Sequence, residues 1–127
     1  MTAFRSNYLG FAQIVAWTLA AIIAVLSLTP PDLRPETGMP HNLEHALIYS
    51  ATGIAFALGY DRRYGLLSIF LIIFAGAIET AQLFVPGRHA RLGDFVVDAV
   101  AVCAAPVAAL LVRQLRALRL AARMTAR

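Results

Sequence analysis

Apolar residues dominate four stretches of the chain: Phe11–Leu28, Leu43–Tyr60, Leu66–Val85 and Phe95–Val112. Short polar segments separate them. No stretch carries a regular polar stripe at helical spacing, so none has a face built for water. Crossing a bilayer takes about 20 mostly apolar residues in a helix. The pattern therefore predicts four membrane helices, at about 10–28, 41–60, 65–84 and 94–112, and a basic segment over 113–127. The expected fold is all-α, a four-helix transmembrane bundle with short loops, in a single domain covering 1–127. A soluble bundle is the alternative, and the missing polar stripes argue against it.

Proline and capping residues mark the boundaries. Pro30 and Pro31 stop the first helix, because proline lacks the amide donor and crowds the preceding turn. Pro40 suits the first turn of the second helix, where a missing N–H costs nothing. Asp94 is expected as the N-cap of the fourth, and Pro106 is expected to bend it. Ala101 and Ala105 put small side chains on one face of that helix, which favours close helix approach. The first block is longer than the apolar core of an export signal and lacks a small-residue cleavage site, so it is expected to stay in place.

Composition strengthens the membrane reading. Of 127 residues, 60% are hydrophobic and 14% charged, where soluble domains carry about 25% charge. The net charge of +4 comes from eleven arginines and no lysine. Arg5, Arg62, Arg63, Arg113, Arg116, Arg119, Arg123 and Arg127 would share one side of a four-span protein, with Arg34, Arg88 and Arg91 on the other. Positive charge favours the cytoplasmic side. Both termini are thus expected in the cytoplasm, with 30–42 and 86–93 outside. This distribution is a topology signal and not a nucleic-acid signal. Arg113, Arg116, Arg119 and Arg123 fall on one helical stripe opposite Leu115, Leu118 and Ala122, a pattern that lies well on anionic lipid. Cys103 reads as a small apolar filler. No phosphate loop, zinc ribbon or internal repeat is present, and the cofactor is left unknown.

The candidate chemistry sits at the outer ends of the helices. His41 and His45 share a face of the second helix that Tyr49 and Thr52 continue, with Glu44 beside them. Glu79 and Gln82 lie near the end of the third helix, and Asp94 and Asp98 near the start of the fourth. Alternating helix directions place these groups in one layer, within reach of Arg88 and Arg91. His89 and Arg34 lie at the same end. Ionisable groups inside a membrane protein are functional-site candidates by default. A salt-bridge lattice that locks the bundle end is the structural alternative. Two nearby acids can share a proton, and arginines match phosphate or carboxylate. A cation site would draw on His41, His45, Glu79 and Asp98. His41-Asn42-Leu43-Glu44-His45 also fits the H-x-x-E-H pattern of inverted zincins, though four short spans hardly provide a peptide groove.

The stretches His41–Tyr49, Glu79–Arg88 and Asp94–Val102 resemble the VanZ-like family, small bacterial membrane proteins named for a member associated with teicoplanin resistance. The likeness covers about half the chain, from Pro40 to Ala104. In that resemblance His45, Tyr49, Glu79, Gln82, Arg88 and Asp94 match the family's motif positions. His41 and Asn42 stand where the family often has an aspartate–lysine pair. Asp98 stands where it commonly has asparagine, which adds an acid to the cluster.

The leading functional expectation is recognition of an anionic envelope lipid, or a lipid-linked wall precursor, at the outer leaflet of the bacterial inner membrane. The resemblance adds a link to teicoplanin resistance. Tyr49, Gln82, Arg88, Arg91 and Asp94 are the expected ligand-binding residues. An enzyme acting on a lipid headgroup is the second class, with Glu79 or Asp98 as base and His45 as acid. A structural or assembly factor is the third. A homo-oligomer is compatible with all three.

Overall fold

The structure is a computed structural model that describes residues 2–33, 38–60, 63–88 and 90–125, with the side chains at 2–6, 41, 120–121 and 123–125 excepted. It is an all-α four-helix bundle: α1 (Thr2–Leu28), α2 (His41–Gly59), α3 (Tyr64–Gln82) and α4 (Leu92–Thr125). A short 3-10 turn, Pro31–Leu33, follows α1. Three helices are long and apolar enough to cross a membrane, over Asn7–Leu28, Tyr64–Gln82 and Leu92–Arg119. α2 falls outside that group because it carries the polar side chains of the cluster.

Successive helices run antiparallel. α1 and α4 flank α2, and α3 packs on α4. The ends of α1 and α3 and the starts of α2 and α4 therefore meet at one end of the bundle, here the polar end. The opposite end carries Arg63, Arg113 and Arg116 and is the basic end.

Several boundaries differ from the sequence expectation. α1 begins at Thr2 rather than near Gly10, since nothing between them breaks a helix. α3 ends at Gln82, two residues early. Leu83, Phe84 and Val85 donate to carbonyls three residues back, and this tightening precedes Pro86. Gly87 then takes φ 78°, which favours glycine. Asp94 is not the N-cap of α4. Its amide and that of Phe95 bond the Arg91 carbonyl, so the helix starts at Leu92 and Asp94 sits in the first turn. Pro40 likewise precedes α2, its carbonyl accepting from Leu43 and Glu44. The basic segment is no separate tail. It continues α4 without a break through Pro106 to Thr125.

Helix contacts follow residue size. A Cβ on Gly53 would drive into the Val102 carbonyl, so α2 and α4 touch backbone to backbone there. At the basic end, Gln13 Nε2 donates to the Gly59 carbonyl at 2.9 Å and closes the terminus of α2. Trp17 Nε1 donates to the Tyr60 hydroxyl at 2.9 Å, and the indole packs edge-on against Phe56 and Phe70. Cys103 is buried with its thiol 3.5 Å from the Ser68 carbonyl, a filler between α3 and α4. Outward, Phe11, Ile14, Val25, Leu66, Ile73 and Val100 are exposed on three helices. Apolar surface on this scale suits hydrocarbon and not water.

Candidate functional site

One polar layer crosses the bundle near its polar end, and every helix contributes to it. From α2, His45 turns its Nδ1 to the carboxylate of Asp98 on α4, 2.9 Å from Oδ1 and 3.1 Å from Oδ2. Both residues are buried, with 6% and 1% exposure. The helical period makes the pairing: His45 and Asp98 each lie within the first two turns of parallel neighbours. A carboxylate on Nδ1 fixes the ring's orientation and, in the neutral ring, its tautomer. One turn deeper, Tyr49 stacks on the His45 ring at a centroid distance of 6.1 Å. Its hydroxyl is buried among Asp98, Glu79 and Ser27 and makes no hydrogen bond of good geometry within the described residues.

From α3, Glu79 and Gln82 are buried, three residues apart on one flank. The Arg91 amide donates to Glu79 Oε1. Thus Glu79 grips the backbone of the loop that leads into α4. Its Oε2 and the Gln82 Nε2 are enclosed with no hydrogen-bond partner among the described residues. Burying polar atoms in this way is costly, so such groups suit an added partner. Thr52, expected on the same face, spends its hydroxyl on the Ile48 carbonyl of its own helix.

The arginines divide. Arg88 Nη2 donates to the carbonyls of Leu26 at 2.9 Å and Thr29 at 3.3 Å. It therefore closes the end of α1, whose last carbonyls lack intrahelical donors. Arg91 presents an exposed side chain at the same end of the bundle. Glu44 and Asp94 are half-buried in the first turns of α2 and α4, where negative charge suits the helix dipole. The His41 side chain, His89 and Arg34 lie outside the described residues. Among the described residues no three His, Cys, Asp or Glu side chains gather closely enough to hold a metal ion. His45, Glu79 and Asp98 therefore do not form a cation site by themselves.

A cavity of about 360 Å3 opens beside this layer between α1 and α2. Ile23, Leu26, Leu47 and Ile48 give it apolar walls, and Ser27, Glu44, His45 and Tyr49 form its polar part. Ser27 escaped the sequence reading. Its only signal was a hydroxyl in the last turn of an apolar helix, at the depth of the other polar groups.

Comparison with protein-family models, curated proteins and solved structures gave no match for this chain.

Proposed function

We propose that this chain is a multi-pass membrane protein of the VanZ-like kind that recognises an anionic envelope lipid or lipid-linked precursor at the outer leaflet. The cavity between α1 and α2 carries the reading. Its apolar walls suit a hydrocarbon chain, and its polar part suits a headgroup. Arg91, exposed at the same end, is the side chain suited to the anionic group. Arg88, engaged with the end of α1, acts by holding that helix in place.

The same reading makes α2 a fourth span. It is as long as α3, at 19 residues each. Its polar residues His45, Tyr49 and Thr52 are buried, while Leu43, Leu47, Ile54 and Leu58 are exposed. Lipid would therefore meet an apolar helix. With four spans, arginine bias puts the basic end and both termini in the cytoplasm and the polar layer near the exterior.

A second reading, an enzyme acting on a lipid headgroup, is favoured by one observation. His45 borders the cavity while its Nδ1 is held by a buried carboxylate, an arrangement suited to proton transfer. Binding of labelled phosphatidylglycerol and polyprenyl phosphate to the protein in nanodiscs tests both readings. Binding without product supports recognition, and product formation that ends with His45→Asn supports the enzyme. Absence of binding by either lipid overturns both.

A further inference from the structure

The cavity also carries information about which lipid it takes. Resting on the lipid-binding reading, we propose that the site selects a glycerolipid: one chain enters between α1 and α2, and a glycerol hydroxyl or ester oxygen, not a phosphate, meets His45 and Tyr49.

The entrance is lateral. Leu26 and Leu47 border the cavity and are exposed on the outside of the bundle. The cavity wall is thus continuous with the surface that faces hydrocarbon, and a chain can slide in without leaving the membrane. About 360 Å3 is near the lower end of ligand sites. This suits one chain with its first polar group, not a two-chain lipid swallowed whole.

The polar part discriminates by charge and by donor–acceptor balance. Asp98 stands behind His45, Glu79 is near the Tyr49 hydroxyl, and Glu44 borders the cavity. Among the described residues no arginine lines it. A phosphate attached directly to the chain would be buried against carboxylates, which is strongly unfavourable. An ammonium would satisfy the acids but offers no acceptor to the Tyr49 O–H. A hydroxyl both donates and accepts. The Tyr49 hydroxyl, enclosed and without a well-formed hydrogen bond, is the group such a ligand would complete. One glycerol further out, the lipid phosphate would emerge at the polar end of the bundle, the end at which Arg91 is exposed.

Three probes of equal chain length separate these possibilities in nanodiscs of neutral lipid: lysophosphatidylglycerol, an alkyl phosphate and an alkylamine. Lysophosphatidylglycerol is expected to bind about tenfold more tightly than the other two, the worth of one well-placed hydrogen bond. Tyr49→Phe, which removes one oxygen and keeps the ring packing, is expected to erase that preference. Ala51→Phe, which narrows the cavity away from the polar layer, is expected to abolish binding of all three. Equal or tighter binding of the alkyl phosphate or alkylamine, or a preference that survives Tyr49→Phe, would overturn the glycerolipid inference alone. No binding by any probe, or binding unaffected by Ala51→Phe, would instead overturn the lipid-binding reading beneath it.

Discussion

His45 and Asp98 are joined across 53 positions of sequence and lie almost wholly inside the protein. Removing one partner of a buried pair leaves the other without its match, at a cost of about 3–5 kcal/mol. Asp98→Leu is thus expected to lower the thermal unfolding midpoint in detergent sharply. The double change His45→Leu with Asp98→Leu should recover much of the loss, and a double variant no better than the single would deny the coupling. Gln13 makes a smaller case. Gln13→Leu strands the Gly59 carbonyl, for an expected loss of about 1–3 kcal/mol in the same melt. The acids and His45 were legible in the sequence because charge in an apolar helix demands an explanation. Ser27 was not legible, because a serine can bond back to its own helix and so advertises nothing. Nor was the use of Arg88. Its value as a closure for α1 depends on where α1 ends in space.

At the scale of elements, the four apolar blocks foretold four helices, and proline foretold the turn after α1. Boundaries moved where hydrogen bonding decides them: Arg91, not Asp94, receives the first amides of α4. Small alanines on α4 suggested close approach, yet the tightest contact belongs to Gly53 against Val102. That contact needs the partner's backbone to be known. Gly53→Ala is expected to push α2 from α4 and to cost about 1–3 kcal/mol, as overpacking does. An unchanged unfolding midpoint would show that the helices can separate freely. The run 111–119 is exposed on all sides, so α4 projects past the start of α3 as a continuous helix with Leu111, Leu115 and Leu118 on one face and Arg113 and Arg116 on the other. Replacing Arg113, Arg116 and Arg119 by Gln should weaken the preference for phosphatidylglycerol over neutral lipid by about 1 kcal/mol per charge, read from the lipids retained in native mass spectrometry. Retention that does not change would remove lipid contact as the role of this stripe.

For the whole molecule, the bundle stacks three zones: a basic end, an apolar aromatic middle and a polar layer to which all four helices contribute. Sequence order could suggest that layer through alternating helix direction. It could not show the cavity, which depends on how α1 and α2 meet in space beside Ser27 and His45. The proposed orientation, with the basic end in the cytoplasm, is open to a direct test. In a Cys103→Ser background, a cysteine at Gly38 should react with an impermeant maleimide added to intact cells, whereas one at Arg119 should react only after permeabilisation. The reverse pattern would turn the protein over and move the polar layer to the cytoplasmic leaflet. The central claim is that a lipid chain occupies the space between α1 and α2. Photo-crosslinking with a phospholipid carrying a diazirine on its chain, in nanodiscs and with peptide mapping, tests it most directly. Label concentrated at Ile23, Leu26 and Ile48 and lost in Ala51→Phe is the expected result. Label spread evenly over the outer residues Phe11, Ile73 and Val100, unaffected by that substitution, would contradict it.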